Sequence, residues 1–267
     1  MFWNGITKIE VLINNKNYDI IGYIKLTNFM KDWSIIILAA GKGTRLKSQE
    51  PKPLVKIEGE PLISNILNLS NILNIKEKYV IISEYTNKIK DFYPNYQYIN
   101  TIPKGTADGV MACINKVKTR NVLIAQADDS FFYNKETLLR MIDIHEKYQG
   151  DFTVGLADIV KKLEYKSAVF NVNTHKLLGL NQENSSIPGE KVVCGLYAGK
   201  TEWIQSIFPL IEPNPKNGEY GIPSGFLLGI EKGDNILYCD IMEKEWFGIN
   251  NLNELENAKI KFNRNKK

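Results

Sequence analysis

The run Ser34–Ala39 (SIIILA) is the sequence feature that most limits what this chain can fold into. Almost all of its residues are apolar, which is typical of a strand that is covered on both faces. A glycine-rich stretch follows at once, so the chain leaves the strand through a tight turn. A buried strand that ends in such a turn favours an α/β fold with a parallel sheet.

Apolar runs and helical patterns alternate after this first strand. The sequence predicts strands at Tyr79–Ser83, Tyr96–Thr101, Asn121–Gln126 and Phe152–Leu156, and helices at Pro61–Leu73, Thr106–Lys116 and Lys135–Tyr148. Beyond residue 160 it predicts two short strands, Ser167–Val172 and Val192–Ala198, flanking a polar loop, then helices Thr201–Phe208 and Ile222–Gly229, strand Ile236–Cys239 and helix Asn253–Phe262. We therefore expect a three-layer, Rossmann-like α/β fold with a mixed, mostly parallel central sheet.

Residues 1–33 differ from the chain that follows. The β-prone runs Ile6–Ile13 and Tyr18–Leu26 are separated by four polar residues, which predicts a short β-hairpin. We therefore divide the chain into an N-terminal hairpin extension, residues 1–33, and one larger domain, residues 34–267.

Composition excludes several classes of function. Of 267 residues, 43% are hydrophobic and 24% charged, and the net charge of +4 is spread along the chain, so neither nucleic acid nor a membrane is an expected partner. The chain shows no signal-peptide pattern and no long apolar run. Three scattered cysteines, Cys113, Cys194 and Cys239, predict reduced thiols and a cytoplasmic protein. Association into a homo-oligomer is left open.

The stretch Leu38–Leu46 (LAAGKGTRL) is the strongest local signal. Its small residues let the backbone approach a phosphate closely, and successive N–H groups there can bind an anion. Arg45 can place its guanidinium on phosphate oxygens with two hydrogen bonds. The spacing matches neither a P-loop nor a dinucleotide fingerprint, and a tight structural turn would explain the glycines alone.

A second segment, Pro51–Leu54 (PKPL), strengthens the phosphate interpretation. The two prolines stiffen the backbone on both sides of Lys52 and fix the direction of its side chain. We therefore expect Lys52 to be a second phosphate contact beside the loop.

Together, LAAGKGTRL and PKPLVKIEGEPLI resemble the signature of the sugar-1-phosphate nucleotidylyltransferases, also called nucleotide-sugar pyrophosphorylases. The resemblance runs from about Ile35 to Ala258. The later segment Gly248–Asn251 (GINN) is similar to the GVNN segment of bacterial N-acetylglucosamine-1-phosphate uridylyltransferases, the subfamily that the chain resembles most.

The resemblance implies a nucleotide site and a catalytic pair of cations. Arg45 would hold the triphosphate, and Lys52 would stabilise charge during transfer. Asn100 stands where many members have a glutamine that reads the base, and Lys104–Asp108 (KGTAD) resembles the LGTA segment, in which Gly105 would let the base lie against the backbone. The residues implied in nucleotide binding are Leu38, Ala39, Ala40, Gly41, Gly43, Thr44, Asn100, Gly105 and Thr106.

The resemblance also implies a magnesium ion. Asp128 stands where the family has an aspartate at the end of a strand, and it would be a catalytic metal ligand together with Asn250. Carboxylate and amide oxygens suit Mg2+, which takes its remaining ligands from phosphate and water. The residues themselves allow a plainer explanation, because Asp128–Ser130 is common turn chemistry and Asn251 or Asn253 could cap the last helix.

On the sugar side the resemblance points to two subfamilies. The run Val193–Tyr197 (VCGLY) is similar to the GLY segment of glucose-1-phosphate thymidylyltransferases, whereas Gly218–Tyr220 (GEY) is similar to a uridylyltransferase segment. The implied sugar-binding residues are Ala168, Gln182, Glu183, Val193 and Glu219.

We therefore expect an Mg2+-dependent enzyme that transfers a nucleotidyl group from a nucleoside triphosphate, with UTP favoured, to a sugar 1-phosphate, with N-acetylglucosamine 1-phosphate slightly favoured. One alternative is a cytidylyltransferase for a small phosphorylated alcohol, or a thymidylyltransferase for glucose 1-phosphate. Another alternative is a catalytically silent, nucleotide-binding regulatory module. The two histidines, His145 and His175, lie in no nucleophile pattern and are expected to be structural.

Overall fold

A computed structural model describes residues 32–43, 46, 48–158, 165–185, 187 and 190–265 of the chain, without the side chains of residues 165, 182–185 and 265. The hairpin predicted within residues 1–33 lies outside the described residues, so the division of the chain at residue 33 stays a prediction. Thr44 and Arg45 also lie outside them.

Strands and helices alternate through the first half of the described chain. The strands are β1 Trp33–Leu38, β2 Lys56–Ile57, β3 Glu60–Pro61, β4 Glu77–Ile82, β5 Gln97–Asn100, β6 Asn121–Gln126, β7 Phe152–Asp158, β8 Tyr165–Asn171, β9 Lys176–Ser185, β10 Lys191–Lys200 and β11 Ile236–Ile241. The helices are α1 Ser64–Ile72, α2 Ile89–Phe92, α3 Thr106–Ile114, α4 Lys135–Lys147, α5 Thr201–Ile207, α6 Ile222–Lys232 and α7 Leu252–Asn265. The predicted elements are present within a few residues of their expected bounds.

Nine strands form one mixed sheet in the order β5-β4-β1-β6-β10-β7-β11-β9-β8. Strands β5, β4, β1 and β6 are mutually parallel, as are β7 and β11. Strand β10 runs antiparallel to both of its neighbours, and β9 is antiparallel to β11 and β8. The predicted mixed sheet is confirmed, but only its first half is parallel throughout, because β10 returns in the opposite direction between β6 and β7.

The sheet is covered on both faces. Ile35 and Ile37 of β1 belong to an apolar cluster that includes residues of α1 and α4. Ile36 and Leu38 belong to a second cluster with residues of α3, α5 and α6. Successive side chains of a strand point to opposite faces, so β1 is buried on both faces, as its continuous apolar sequence predicted. The predicted α/β class with three layers is confirmed.

One prediction is wrong. The segment expected to be a polar loop between two short strands contains β9, which pairs antiparallel with β8 through the register Ala168 to Leu180. Leu177 of this strand is buried whereas Leu178 is exposed, as expected for side chains on opposite faces. The second half of β9 has no apolar pattern that would predict a strand, and its pairing with β8 makes it one.

The three cysteines are buried and form no disulfide, as predicted. Within the described ranges, no helix has both the length and the apolar character that a bilayer crossing requires.

Candidate active site

The glycine-rich loop leaves β1 at the edge of the sheet where the parallel strands end. The Ala39 N–H donates to the Ile81 carbonyl oxygen at 2.9 Å, and the Ser83 hydroxyl donates to the Ala40 carbonyl oxygen at 2.8 Å. These bonds tie the start of the loop to the end of β4. The loop is thereby held at the carboxyl ends of the strands, where ligands bind in open α/β sheets.

Gly43 brings the loop against Lys52. It has a φ of +64°, and a Cβ built on it would lie 2.6 Å from the Lys52 Cβ. Neither the backbone conformation nor the space admits a larger residue. The structure therefore brings together the two sequence segments in which phosphate contacts were predicted.

Lys52 pairs with Asp128 across 76 residues of sequence. Lys52 begins a short 3-10 turn, Lys52–Leu54, after Pro51, and Asp128 follows β6. The Lys52 ammonium contacts the Asp128 carboxylate, and the two side chains are 11% and 25% exposed. A cation and a carboxylate are thus held side by side next to the loop, partly open to solvent.

A second carboxylate, Asp129, follows Asp128 directly in the chain and is half-buried. Burial and the neighbouring negative charge of Asp128 raise its pKa well above the ordinary value, while Lys52 lowers it. A Cβ at Gly195 of β10 would lie 2.8 Å from the Asp129 carboxylate oxygen and 2.7 Å from the Gln126 Cβ. Sequence reasoning missed the positions of Asp129 and Gly195, although the Asp-Asp pair and the glycine in the β10 sequence were the available signals.

Asn250 belongs to a segment anchored near the same edge. Its neighbour Ile249 is buried in a third apolar cluster that also contains Phe131, three residues after Asp128. The Asn250 N–H donates to the Glu254 carboxylate. The Asn251 side chain accepts from the Glu254 N–H at 3.0 Å, so Asn251 makes the capping contact considered from sequence.

Gly105 stands at a tight crossing of two backbones. Its φ is +119°, and a Cβ on it would lie 2.4 Å from the Tyr220 carbonyl oxygen. The Tyr220 N–H donates to the Lys104 carbonyl oxygen at 2.7 Å, and the Tyr220 carbonyl oxygen accepts from the Ala107 N–H at 2.8 Å. Contact with Tyr220 therefore requires a glycine here, whatever ligand lies against it.

Thr106 completes this crossing. It begins α3, and its hydroxyl accepts from the Ile222 N–H at 3.0 Å, at the start of α6. The GTA and GEY segments, predicted for the nucleotide and the sugar respectively, are therefore held together by three hydrogen bonds, two of which involve the adjoining residues Lys104 and Ile222. Glu219 is exposed beside Tyr220.

The remaining sugar candidates are less clearly arranged. Ala168 is buried in the cluster of the α3, α5 and α6 face, and the half-buried Val193 packs against that cluster. Gln182 and Glu183 lie in β9, and their side chains are not among those described. The sugar-binding roles of these four residues therefore stay a prediction.

The oxygen donors at this edge fit a magnesium ion that takes only part of its coordination shell from the protein. In the described part of the chain, no group of three or more His, Cys, Asp or Glu side chains forms a metal cage. Mg2+ needs only one or two protein oxygens when phosphates and water complete its shell. The partly exposed Asp128 carboxylate meets that requirement, and Asn250 carries an amide oxygen.

Comparison with known families agrees with this arrangement. Residues 35–161 match the model of the MobA-like NTP transferase domain. The matched segment is just under half of the chain, and over that segment the chain is similar to this family. The segment spans β1, the glycine-rich loop, Lys52, the GTA segment and Asp128. The predicted resemblance to sugar-1-phosphate nucleotidylyltransferases is confirmed.

Curated relatives extend the match beyond the NTP transferase domain. The chain is 28% identical over 240 residues to the bifunctional protein GlmU of Thermodesulfovibrio yellowstonii. The aligned region covers 84% of this chain and 51% of the relative. The chain is 27% identical over 233 residues to the GlmU of Staphylococcus epidermidis, with coverages of 84% and 52%. The chain thus spans about half the length of the curated relatives it matches.

Solved structures share the fold of the NTP transferase domain. A protein assigned as a glucose-1-phosphate thymidylyltransferase of Bacillus anthracis, in complex with sucrose, has a TM-score of 0.71 at 17% identity, covering 85% of this chain and 94% of that one. A UDP-glucose pyrophosphorylase complexed with UDP-glucose has a TM-score of 0.73 at 15% identity, with coverages of 87% and 98%. The α/β fold is therefore that of the nucleotidyltransferases.

Proposed function

We propose that the protein transfers a nucleotidyl group from a nucleoside triphosphate to a sugar 1-phosphate and releases pyrophosphate. The observation that carries this proposal is the Lys52–Asp128 pair beside Gly43. It combines a fixed cation, a metal-type carboxylate and a close-approach loop at one edge of the sheet. Such a set suits the neutralisation and alignment of two phosphorylated substrates.

The reaction needs no protein nucleophile. A phosphate oxygen of the sugar 1-phosphate attacks the α-phosphorus and forms the new P–O bond. The bond from the α-phosphorus to the oxygen bridging it to the β-phosphate breaks, and pyrophosphate leaves with the electron pair. Both substrates are anions, so the protein has chiefly to hold them in line and offset their charge.

The chain's own residues divide this task. The backbone from Leu38 to Thr44 would approach the triphosphate, with Ala39, Ala40, Gly41 and Gly43 giving the close contact. Arg45 would hold the phosphates with paired hydrogen bonds. Lys52, already at the edge of the site, would exchange part of its contact with Asp128 for the charge that develops on the phosphates.

Asp128 and Asn250 would hold Mg2+, which when bound stabilises negative charge on the phosphate oxygens. Asp129, which follows Asp128 in the chain, would support the position of the β10 backbone at Gly195 rather than meet the ion.

For the acceptor we favour N-acetylglucosamine 1-phosphate, and for the donor UTP. The similarity to proteins named GlmU and the GEY and GINN segments support this choice. Glu219, exposed beside the Tyr220 crossing, is the best-placed of the predicted sugar contacts; Ala168, Gln182, Glu183 and Val193 complete the proposed set. Asn100, exposed at the end of β5, is the proposed base contact from sequence.

A second candidate keeps the reaction and changes the substrates. The VCGLY run of β10 and the likeness in fold to a thymidylyltransferase favour dTTP with glucose 1-phosphate. A cytidylyltransferase for a phosphorylated alcohol belongs to the same test.

The test is a substrate panel with mass detection of products. The purified protein is incubated with Mg2+, each of five nucleoside triphosphates (UTP, dTTP, CTP, GTP, ATP) and each candidate acceptor, and pyrophosphate release is measured in parallel. We expect a UDP-sugar as the main product. Binding of nucleotide without turnover for any pair would overturn the enzyme proposal in favour of a silent regulatory module.

A further inference from the structure

The last helix, α7, contacts the connection between β11 and α7 at two places. The Asn250 N–H donates to the carboxylate of Glu254, in the first turn of α7. Further along the helix, the Lys261 ammonium donates to the Trp246 carbonyl oxygen at 2.9 Å and to the Glu243 carbonyl oxygen. The connection that carries Asn250 is therefore held against this helix both at Asn250 itself and several residues before it.

Lys261 also contacts the chain that follows Asp128. Its ammonium lies 5.4 Å from the centroid of the Phe132 ring and 5.5 Å from that of the Phe247 ring. The two rings are 6.3 Å apart in an edge-to-face arrangement, and both pack against the third apolar cluster. A half-buried cation beside two aromatic faces is attracted by both of them. Lys261 thus touches one segment that leads to Asn250 and another that leads away from Asp128.

The carbonyl contacts of Lys261 couple the position of the connection to that of the helix. Burial lowers the pKa of the Lys261 ammonium, and the negative charge of Glu243 offsets this in part. An ammonium that has lost part of its water needs hydrogen-bond acceptors in the protein, and here the backbone at Glu243 and Trp246 supplies them. A shift of the connection away from α7 would leave this charge without those acceptors.

We propose that Lys261 is a positioning residue for the metal site, which fixes the connection carrying Asn250 against Phe132 and thereby sets how far Asn250 stands from Asp128. The inference rests on the proposed function, in which Asp128 and Asn250 hold Mg2+. Lys261 would meet neither the ion nor a substrate. Removal of groups that orient metal ligands from outside the coordination shell commonly lowers metal affinity by about 10- to 100-fold.

The experiment measures by calorimetry how tightly the protein binds inorganic tripolyphosphate, once with Mg2+ and once with EDTA. This probe carries three phosphates without a base, so the result does not depend on the choice of nucleotide. Lys261→Met keeps an apolar stem beside the two rings and removes the donor. It is expected to weaken binding of the Mg2+ complex about 10-fold and to leave binding in EDTA unchanged. Lys261→Arg, which keeps a charged donor, is expected to restore binding of the Mg2+ complex.

Lys259→Met is the matched control, because Lys259 lies on the same helix and pairs within it, with Glu256 at 2.7 Å. It is expected to bind the probe as the wild type does under both conditions. Equal weakening with Mg2+ and with EDTA in Lys261→Met would overturn the inference, since the substitution would then have disturbed the phosphate contacts or the whole fold. Unchanged binding of the Mg2+ complex would overturn it as well.

Activity separates this inference from the proposed function. Lys261→Met should need about 10-fold more Mg2+ for its half-maximal rate and should approach the wild-type rate when Mg2+ is saturating. A wild type that forms no product from any pair of substrates, while its Mg2+-dependent binding of tripolyphosphate still responds to Lys261→Met, would refute the proposed function and keep the positioning role. Turnover by the wild type with the same Mg2+ requirement in Lys261→Met would refute the positioning role alone.

Discussion

The two edges of the central sheet, one where β1 and β6 begin and one where they end, differ in the contacts that their polar side chains make. At the edge where β1 and β6 begin, polar side chains bond to one another: Trp33 donates to Glu146 at 2.8 Å, and Ser34 donates to Glu77 at 3.0 Å. At the edge where the same strands end, Gly43 packs against Lys52, and the partly exposed Lys52 and Asp128 form an ion pair beside the phosphate loop.

This difference separates stability from function. Buried polar groups are costly unless they are hydrogen-bonded, and the Trp33 and Ser34 side chains at the first edge have such bonds. At the second edge Lys52 and Asp128 are partly exposed, so a ligand can reach them. Substitutions at the two edges should therefore affect different measurements, and the predictions below test that separation in order of expected size.

The largest effect is expected for Asp128→Ala. Removal of the carboxylate eliminates the proposed metal ligand and leaves Lys52 without its partner, so the rate of pyrophosphate release should fall by about 10³-fold. Unfolding by urea should be almost unchanged, because the side chain is partly exposed.

Asp158→Ala is the control for this change. Asp158 lies at the same edge and pairs with Lys191, but it has no proposed contact with either substrate. It should retain most of the wild-type rate. An Asp128 variant with near-normal activity would remove this residue from the metal site.

The next effect is on stability. Gly105→Ala places a Cβ against the Tyr220 carbonyl oxygen in a conformation that alanine avoids, which should cost about 3 kcal/mol of unfolding free energy. This result would show that one position at the functional edge is also structural. The unfolding free energy is measured by urea titration.

Two other glycines show whether the loss comes from the backbone conformation or from the contact with Tyr220. Gly233 has a φ of +83° and no atom within 4 Å of a Cβ built on it. Gly233→Ala therefore tests the backbone conformation alone and should cost about 1 kcal/mol of unfolding free energy. Gly41→Ala also meets nothing within 4 Å and should leave stability unchanged. If Gly105→Ala costs no more than Gly233→Ala, the contact with Tyr220 is not the constraint.

The sequence predicted that Gly43, Lys52 and Asp128 lie close together, but it did not predict how the surrounding segments are held in place. Gly43, Lys52 and Asp128 lie in short motifs whose chemistry is local, so their types and spacing could be interpreted directly. The contact of Gly105 with Tyr220 and the packing of Gly195 against Asp129 join segments far apart in the chain. No periodicity or motif encodes such a pair, and the same holds for β9, whose partner β8 makes it a strand.

At the edge where β1 and β6 begin, His145 should make the stability of the fold depend on pH. Burial of His145 lowers the pKa of its imidazole to about 3. The unfolded chain therefore binds a proton below about pH 6.5 that the folded chain does not, and stability falls as the pH falls. From pH 7.5 to pH 5 the expected loss is about 2 kcal/mol.

His145→Gln tests this, because glutamine keeps a hydrogen-bonding group beside Thr153 but does not titrate. The slope of unfolding free energy between pH 5 and pH 7.5 should become less positive by about 2 kcal/mol over that range. The raised pKa of Asp129 acts in the opposite direction, so the difference between variant and wild type isolates the histidine. An unchanged slope would show that His145 accepts a proton in the folded state.

The smallest effect is expected for Lys200→Met. The Lys200 ammonium contacts the Asp151 carboxylate at 2.7 Å at the first edge, and both side chains are about 30% exposed. Desolvation raises the pKa of Asp151, but Lys200 and the Asn235 N–H together bring it below the ordinary value. Solvent screens a pair of this kind, so its loss should cost about 0.5–1 kcal/mol. Pyrophosphate release should stay at the wild-type rate, since Lys200 pairs with Asn121 at the start of β6, whereas Gly195 faces Asp129 beyond the end of β6. A change in the rate without a change in stability would contradict the expectation that substitutions at the first edge affect stability and not activity.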